Sequence, residues 1–470
     1  MKPTDSLLAR WQTILAKKGT VPGIFNCRGE VVRTFRGIEE RARDFESKID
    51  IFPAGSVIAV QMGNHEDWPS IFLACLRRKL IVLPIEQSVS DQQRDTALKI
   101  CNAAGVVAAG PSRTATVPGD SLEILPIRTS AAITHWTENP PSLLKLTSGT
   151  TAAPRVIRFQ SQQLLADCDQ ICETMGISDI DLNFGVIPIS HSYGFSNLLT
   201  PLIARGVAMA LSNDRTPRAV LVDLARTNAT VFPGTPVFYQ AVCEMENVPA
   251  LLKLRLCISA GAPLPVAMAK KFSEKFGFRI HSFYGASECG GICYDREAGN
   301  EIEGFIGPPM EDVDLEMVDP KMESGQVRIR SAAAGTGYFP DPDPDKLGNG
   351  IFVPDDLLQR QGAGFKIVGR VSDVINVAGK KVNPAEVEAQ LLRVQGVQQA
   401  VVFGRESTLR NEEVVACVVG DVAENELLEF CRKALSPWQV PKRIFIIDSI
   451  PTNERGKISR REVARQFSSK

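Results

Sequence analysis

The chain alternates short apolar runs with longer stretches in which apolar residues recur every three or four positions. Residues 1–18 have this helical spacing, which predicts a packed amphipathic helix. A second helical stretch follows Ser161, whose hydroxyl group suits the N-cap position of a helix. Its apolar face is predicted to contain Leu164, Leu165, Cys168, Ile171, Cys172 and Met175. The repeated alternation predicts an α/β fold in which helices cover a mostly parallel β-sheet.

Polar loops follow several of the predicted strands directly. The ligand sites of open α/β sheets lie at the carboxyl ends of the strands, so these loops are expected to converge on one crevice. A helix over 264–276 is predicted to separate the second loop from the third strand. The strand–loop pairs are 184–189 with 190–194, 255–259 with 260–263, and 280–283 with 284–288.

The pattern changes near residue 340. The proline–aspartate run 341–345 fits neither a regular helix nor a central strand. Beyond Arg370, Asn383 is a predicted helix N-cap, with Pro384 at the first helical position. Strands and a helix are predicted around this segment at 374–377, 400–403, 414–419, 426–435 (the helix) and 444–447. We therefore predict a large N-terminal domain over 1–369 and a small α+β domain over 370–470.

Composition excludes several classes of protein. The 470 residues have a formal net charge of −1, which argues against a nucleic-acid or anionic-membrane footprint. No apolar run reaches the ~18 residues of a membrane span, and the N-terminus lacks the pattern of a signal peptide. The eleven cysteines lack metal-like pairing, which favours reduced, buried thiols. A cytoplasmic protein is the expectation.

The segment 147–155 follows the apolar residues Leu143 and Leu144 and contains four hydroxyl side chains around Gly149. A strand that ends in such a turn exposes backbone N–H groups and hydroxyls in one concave patch, which suits a polyphosphate. A P-loop NTPase would require Gly-x-x-x-x-Gly-Lys-Ser/Thr. Neither Gly379-Lys380 nor Gly456-Lys457 fits that pattern, because Lys381 and Ile458 follow.

Taken together, these motifs resemble those of the adenylate-forming superfamily, which includes acyl- and aryl-CoA ligases, luciferases and peptide-synthetase adenylation domains. They occur along the whole chain and in the family's order. In that order, 147–155 resembles the phosphate loop, 188–194 the substrate-side histidine motif, 259–265 the adenine-side loop, 284–288 the aromatic-Gly-x-Thr-Glu signature, 354–357 the ribose-binding Thr-Gly-Asp-Leu, 369–370 the hinge-proximal arginine, and 451–460 the C-terminal lysine motif.

The resemblance implies ATP-dependent activation of a carboxylic acid to acyl-AMP, with Mg²⁺ as cofactor. Lys457 would bridge the carboxylate and the α-phosphate, Glu288 would hold Mg²⁺, and His191 would line the acyl site. Tyr284 would stack on adenine, and Asp356 would accept both ribose hydroxyls, although the neighbouring Asp355 is an alternative. The nucleotide-binding set would be Thr147, Ser148, Gly149, Thr150, Thr151, Gly261, Ala262, Pro263, Tyr284, Gly285, Ser287, Asp356 and Arg370.

The small domain would then rotate about a hinge at Ser372 and present the face around Gly379 to a thiol acceptor. That acceptor would be coenzyme A or the phosphopantetheine arm of a carrier protein. Several positions depart from the family pattern: Ala152 replaces glycine, Arg155 replaces lysine and Asp355 replaces glycine. Ser372 stands where relatives usually have Asp or Lys.

The substrate loop 189–195 contains no acidic residue to pair with an amino acid's ammonium group. This favours an apolar acyl or aryl acid, since a buried unpaired ammonium is costly. The aromatic residues Phe195, Phe232, Phe238 and Tyr239 are candidates either for pocket walls or for ordinary core. A stand-alone amino-acid adenylation domain and a nucleotide-binding module without turnover are the alternative functions.

Overall fold

The computed structural model describes residues 5–109, 122–127, 140–147, 155–212, 214–299, 301–377, 380–407, 411–451 and 460–467. These residues form two compact units. The larger unit comprises Met1–Leu315 and Arg328–Val353, and the smaller comprises Glu316–Val327 and Pro354–Lys470. The smaller unit thus includes residues that precede the domain boundary predicted at 369/370. A pivot between the domains at that boundary stays a prediction.

The first sheet of the larger unit is parallel across most of its width. Its edge strands pair antiparallel with their neighbours, and the pairs between them are parallel. Inner strands of this kind are covered on both faces, which explains their apolar runs. In spatial order the strands are Gly290–Tyr294, Ile280–Ala286, Leu256–Ser259, Val231–Gly234, Leu182–Gly185, Ala208–Leu211, Pro22–Phe25 and Val31–Thr34.

The second sheet of the larger unit contains the phosphate-loop strand. Leu143–Leu146 enters the loop, and Val156–Phe159 returns beside it in antiparallel register. The segment 147–155 therefore connects two neighbouring strands. In spatial order the strands are Gly337–Phe339, Val156–Phe159, Leu143–Leu146, Ile81–Pro84, Val57–Gln61, Ala103–Ala109 and Leu122–Pro126.

Helices cover these sheets and bury their apolar faces against them. One core cluster lies around the first sheet, including Phe184, Phe232 and Ile280, and another lies around the second, including Ile81 and Leu144. The helices of the larger unit are Ser6–Lys18, Phe35–Lys48, Trp68–Arg77, Asp91–Ile100, Ser161–Met175, Ser192–Gly194, Thr200–Arg205, Pro217–Thr227, Pro236–Cys243 and Val266–Phe276, with a π-helical turn at Phe195–Leu199. None of the helices in the described ranges has the length and hydropathy of a membrane span.

Short antiparallel strands continue the chain beyond the first sheet. Ser324–Ser331 contributes its first residues to the smaller unit, where Gly325 faces Leu358, and its last residues to the larger unit, where Ile329 faces Phe352. The strands of this region are Phe305–Gly307, Val313–Met317, Ser324–Ser331, Leu347–Gly348, Ile351–Phe352, Asp356–Gln361 and Gly364–Arg370.

The smaller unit is an α+β structure with apolar clusters that include Val402 and Leu427 in one and Phe403 and Val463 in the other. Its sheet has the spatial order Lys380–Val382, Ile375–Val377, Asn411–Gly420 and Val397–Ser407, and Arg443–Ile446 pairs with Asn411–Gly420 in parallel. Its helices are Pro384–Leu391, Glu424–Ala434 and Arg460–Phe467, with a 3₁₀ turn at Val371–Asp373. The predicted fold class, helix-covered and mostly parallel sheets with a C-terminal α+β domain, is confirmed.

Several predicted elements differ at their ends. Ser161 is the first helical residue instead of the N-cap, which is Gln160, because its hydroxyl donates to Asp5 Oδ2 at 2.5 Å. The helix predicted from 264 begins at Val266, since the residue before Pro265 disfavours the helical conformation. The C-terminal helix predicted at 426–435 is Glu424–Ala434.

The strand predicted at 184–189 is shorter, Leu182–Gly185. The Asn64 side chain replaces a neighbouring strand there. Its Nδ2 donates to the carbonyls of Gly185 and Ile187, at 3.0 and 3.1 Å, and its Oδ1 accepts from Ile189 N at 2.8 Å. The backbone beyond Gly185 is thus hydrogen-bonded without forming a ladder.

Candidate functional site

The base of the phosphate loop is closed by its own backbone. Both the backbone N–H and the Oγ1 hydroxyl of Thr147 donate to the carbonyl of Arg155, each at 3.0 Å. Ser148, Gly149, Thr150 and Thr151 lie outside the described residues, so their role as nucleotide ligands stays a prediction. The two described ends show that the loop begins and ends at one point on the sheet.

Arg155 and Glu288 meet through a third residue, Tyr338. The Arg155 guanidinium lies 4.3 Å from the centre of the Tyr338 ring, a cation–π contact. The Tyr338 hydroxyl donates to Glu288 Oε1 at 3.1 Å. Burial, together with the neighbouring Glu288 carboxylate, raises the pKa of Tyr338 well above its ordinary value. The phenol therefore keeps its proton and holds the carboxylate as a donor.

A direct hydrogen bond joins the histidine motif, residues 188–194, to the aromatic-glycine motif, residues 284–288. Ser192 Oγ donates to Ser287 Oγ at 3.0 Å. His191 lies one residue earlier, half-buried, and its Nδ1 accepts from the backbone N–H of Tyr193 at 3.2 Å. The imidazole thus caps the short helix Ser192–Gly194, which fixes the ring at the start of this loop.

The adenine-side loop is tied to the same centre. The Tyr193 hydroxyl donates at 3.3 Å to the carbonyl of Ile258, in the strand that precedes this loop. In the loop, Gly261 has a φ of +88°, a left-handed conformation that favours glycine. Gly261 and Pro263 are exposed and Ala262 is half-buried, so backbone at this strand end is accessible to a ligand.

In the aromatic-glycine motif, Tyr284 is buried and only 7% exposed. Stacking of its ring on adenine stays a prediction. The next residue, Gly285, is exposed, and a Cβ there would approach the carbonyl oxygen of Gly290 to 2.6 Å. Glycine is required at this position because the antiparallel neighbour passes too closely for a side chain.

The candidate pocket aromatics divide into core and partly buried residues. Phe195, Phe232 and Tyr239 are at most 1% exposed. The Tyr239 hydroxyl donates to the carbonyls of Phe232 and Ile258, both at 3.0 Å. Phe238 is partly buried against the same cluster. Of the two alternatives that the sequence left open, pocket wall or core, Phe195, Phe232 and Tyr239 fit the core.

In the smaller unit, the two residues predicted for the ribose form an ion pair. Arg370 Nε lies 2.7 Å from Asp356 Oδ1, across the antiparallel strands that carry them. The Asp356 side chain is 15% exposed and that of Arg370 is 55% exposed. Asp355 is exposed, and its carbonyl accepts from Val371 N at 2.8 Å. The pairing fixes the Asp356 carboxylate, and its contact with ribose stays a prediction.

The remaining predicted residues are less fully described. Lys457 and Gly379 lie outside the described residues, so the structure places neither of them. The backbone of Ser372 lies in the 3₁₀ turn Val371–Asp373. A hinge at Ser372 stays a prediction.

A magnesium site in this structure has to rest on few protein ligands. Among the described residues, no group of three or more His, Cys, Asp or Glu side chains could hold a metal ion. Mg²⁺ is commonly bound by one or two carboxylates together with substrate phosphate oxygens. The Glu288 carboxylate, oriented by the Tyr338 hydroxyl, fits that donor set.

Sequence reasoning missed Tyr338 and Asn64. Tyr338 follows a glycine in the strand Gly337–Phe339, which looks like an ordinary edge strand. Asn64 is an isolated amide before the helix Trp68–Arg77. Neither residue carries a local sequence signal, because each acts through contacts with distant parts of the chain.

Comparisons with known proteins identify the family of the chain. The profile of the AMP-binding enzyme family matches residues 33–339, and that of the AMP-binding enzyme C-terminal domain matches 386–457. A probable CoA ligase of Humulus lupulus is 28% identical over 88% of this chain and 87% of its own. The 3,4-dihydroxybenzoate–[aryl-carrier protein] ligase of Bacillus anthracis is 24% identical over 87% of this chain and 90% of its own.

The fold is also that of a known structure. ATP-bound MatB from Rhodopseudomonas palustris superposes with a TM-score of 0.83 over 98% of both chains, at 19% identity. The predicted activity, formation of an acyl-adenylate followed by transfer to a thiol, is confirmed, and the protein is an AMP-forming acid–thiol ligase. Its match to the family profile covers well over half of the sequence, and the chain belongs to the AMP-binding enzymes.

Proposed function

We propose that the enzyme activates an apolar acyl or aryl carboxylic acid with Mg²⁺ and ATP, and passes the acyl group to coenzyme A or to the phosphopantetheine of a carrier protein. The observation that carries this proposal is the convergence of separate motifs in the larger unit. Arg155, Tyr338 and Glu288 form one chain of contacts. The hydrogen bond between Ser192 and Ser287 joins the acyl-side loop, residues 189–195, to the residue that precedes Glu288.

In the first half-reaction, a carboxylate oxygen of the acid forms a bond to the α-phosphorus of ATP. The bond from that phosphorus to the bridging oxygen breaks, and pyrophosphate leaves with its electron pair. Positive charge and donors must be fixed around the phosphate oxygens while this happens. Arg155, Ser287 and the loop backbone would supply them, and Lys457 would neutralise the charge between acid and phosphate.

Glu288 would hold the magnesium ion, which supplies positive charge to the phosphate oxygens when bound. Tyr338 would keep the Glu288 carboxylate in place by donating to Oε1. Asp356 would accept from the ribose hydroxyls while Arg370 holds its other side. These roles assign each residue to binding or orientation, with Lys457 nearest the reacting atoms.

In the second half-reaction, the sulfur of the acceptor attacks the acyl carbonyl carbon. The bond from that carbon to the phosphate oxygen breaks, AMP leaves, and the thiol proton passes to solvent. We propose that the small domain turns about Ser372 between the two steps, which withdraws Lys457 and brings the Gly379 face to the acceptor.

The substrate class follows from the chemistry of the acyl-side loop. Residues 189–195 carry no acidic side chain. An ammonium group on the substrate would find no carboxylate partner within this loop. An apolar chain or ring, in contrast, loses nothing by leaving water there.

The acceptor remains within one chemical class, a phosphopantetheine thiol. The two relatives differ here, since one is named as a probable CoA ligase and the other as an aryl-carrier protein ligase. We place the enzyme in the cytoplasm. The free thiols of its eleven cysteines, buried except for the half-buried Cys27, suit a reducing compartment.

The test is pyrophosphate release from Mg²⁺-ATP across a panel of fatty, aryl and amino acids. We expect release with at least one fatty or aryl acid and none with amino acids. Release with amino acids alone would contradict the substrate class, and no release with any acid would favour a binding module. Adding coenzyme A or a loaded carrier protein, and measuring thioester formation, then identifies the acceptor.

A further inference from the structure

A buried lysine lies two residues before the start of the phosphate loop. Lys145 belongs to the strand Leu143–Leu146 and is 6% exposed. Its ammonium lies 4.7 Å from the ring centre of Phe159 and 5.7 Å from that of Phe195. No hydrogen bond or ion pair joins this ammonium to another of the described residues.

Such a cation is expensive to bury. An ammonium that is removed from water loses roughly several kcal/mol of solvation free energy unless a charged partner compensates it. A methionine would fill the same space without that cost. Burial lowers the pKa of Lys145, while the carboxylates of Asp167 and Glu288 oppose that effect. The two aromatic rings add cation–π attraction. Packing alone does not explain a lysine at this position.

Asp167, one of these two carboxylates, contacts the segments that follow two of the motifs. It lies on the helix Ser161–Met175 and is 4% exposed. Its Oδ2 accepts from Ser196 Oγ at 2.5 Å, and its Oδ1 accepts from Gly291 N at 2.9 Å. Ser196 directly follows the acyl-side loop 189–195, and Gly291 lies three residues after Glu288.

The approach of Asp167 to the Glu288 segment is close. Gly290 has a φ of +69°, and a Cβ at this residue would collide with the Asp167 carboxylate. The left-handed backbone and the absence of a side chain therefore both serve the contact between Asp167 and Gly291. One buried carboxylate thus binds the segment that follows Glu288. The Lys145 ammonium lies near the ring of Phe195, and the next residue, Ser196, donates to this same carboxylate.

We propose that Lys145 and Asp167 are positioning residues of the nucleotide site. Their opposite charges hold the strand that enters the phosphate loop against the segment that carries Glu288, and so set the place of the Glu288 carboxylate for the metal–nucleotide complex. The inference rests on the proposed function, because it takes Glu288 as the magnesium-binding group. Lys145 itself contacts neither substrate nor metal in this scheme.

The first test is Lys145→Met, compared with the wild type and with Lys18→Met. Lys18 is a matched control, since its ammonium also lies near a phenylalanine ring, 5.7 Å from Phe35, but in none of the motifs. Binding of Mg²⁺ with the non-hydrolysable α,β-methylene analogue of ATP is measured by calorimetry. We expect Lys145→Met to weaken binding about tenfold, equivalent to ~1.4 kcal/mol, with the KM for the acid within about twofold. Lys18→Met should leave binding unchanged.

The double variant Lys145→Met/Asp167→Asn separates positioning from simple charge burial. The double variant has no buried Asp167 charge left without the opposite charge of Lys145. Its thermal stability is therefore expected to exceed that of Lys145→Met. Nucleotide binding should stay weak, because the attraction between the two segments is still missing. If Lys145→Met does not fold, this charge-balanced variant carries the test alone.

The outcomes distinguish this inference from the proposed function. Unchanged Mg²⁺–nucleotide binding by folded Lys145→Met, or full recovery of binding in the double variant, would overturn the positioning role. A wild-type protein that binds the nucleotide analogue but releases no pyrophosphate with any acid would overturn the proposed function and leave the calorimetric comparison intact. A wild-type protein that binds no nucleotide would overturn both.

Discussion

The two units hold their motif residues by different means. In the larger unit the groups around Glu288 are buried: Tyr338, Asp167 and Lys145 are each at most 6% exposed. In the smaller unit the corresponding contacts are ion pairs that solvent reaches in part, with the side chain of Arg370 55% exposed and that of Arg460 28% exposed. Buried groups cannot lose a partner without leaving an unsatisfied donor or charge, whereas exposed ion pairs exchange with water and salt.

This difference teaches how each motif is to be tested. Substitutions in the larger unit combine an effect on the site with an effect on folding, and need controls that separate the two. Substitutions at the more exposed ion pair of the smaller unit, Asp356–Arg370, change folding less and report more directly on the reaction.

Lys457→Ala gives the largest expected effect. Loss of the charge between carboxylate and α-phosphate should lower adenylate formation by about a thousandfold or more, while thiolysis of a supplied acyl-adenylate continues. The two half-reactions are measured separately, as pyrophosphate release and as thioester formation. Lys433→Ala, at an exposed lysine ending the helix Glu424–Ala434, is the control. Equal loss in both half-reactions would contradict a step-specific role in the smaller unit.

Glu288→Gln should lower pyrophosphate release by about a hundredfold, in the range found for removal of one electrostatic group from an active site. The amide oxygen can still accept from the Tyr338 hydroxyl, so the melting temperature should stay near that of the wild type. Raising the Mg²⁺ concentration should restore part of the rate. A rate that is unchanged at low Mg²⁺ would remove Glu288 from the metal site.

Arg460→Met tests an anchor beside the lysine motif. The Arg460 guanidinium lies 2.7 Å from Asp373 Oδ2 and 2.6 Å from Glu388 Oε2. Loss of these contacts should lower the free energy of unfolding by about 1–3 kcal/mol. It should also slow adenylation about tenfold, because Lys457 lies three residues before Arg460 in the chain. Urea unfolding and the two half-reactions are the measurements.

The control for Arg460 is Arg405→Met. Arg405 is paired with Glu413 at 2.7 Å in the same unit and has similar exposure, 23% against 28%. It should destabilise the protein without favouring either half-reaction. If Arg460→Met and Arg405→Met had the same kinetic profile, Arg460 would be a stabilising residue and no more.

Asp356→Asn gives the smallest expected effect, a rise of about fivefold in the KM for ATP with little change in kcat, as expected for one hydrogen-bonding group in a solvated site. Asp355→Asn is the matched variant, since the neighbouring carboxylate is exposed and is the open alternative for the ribose. A larger rise for Asp355→Asn would transfer the ribose contact to Asp355.

The sequence predicted the order and type of the main elements well, since their apolar periodicity is local. The N-terminal helix is Ser6–Lys18, with Asp5 as its N-cap, and Asn383 caps the helix Pro384–Leu391 as predicted. The errors lie at element ends where a distant side chain competes. The Asn64 side chain hydrogen-bonds the backbone in the last part of one predicted strand, in place of a neighbouring strand. The Ser161 hydroxyl donates to Asp5 and so does not cap its own helix.

The candidate site divides in the same way. The family motifs were readable because each is a short run of small, hydroxyl-bearing or charged residues. Tyr338, Asp167 and Lys145 were not readable, because an isolated Tyr, Asp or Lys looks the same whether it lies in solvent or beside Glu288. Burial and proximity depend on strands that are far apart in the chain.

The amino-acid sequence by itself thus determined the alternation of strands and helices, the loops at the strand ends and the types of reactive group, since these depend on neighbours a few residues apart. Only the tertiary structure decided which groups hold those loops in place. The contact from Arg155 through Tyr338 to Glu288 spans residues 155 to 338, and the contact of Asp167 with Gly291 spans 124 positions. Such contacts arise from the packing of the sheet and helices, which no local pattern encodes.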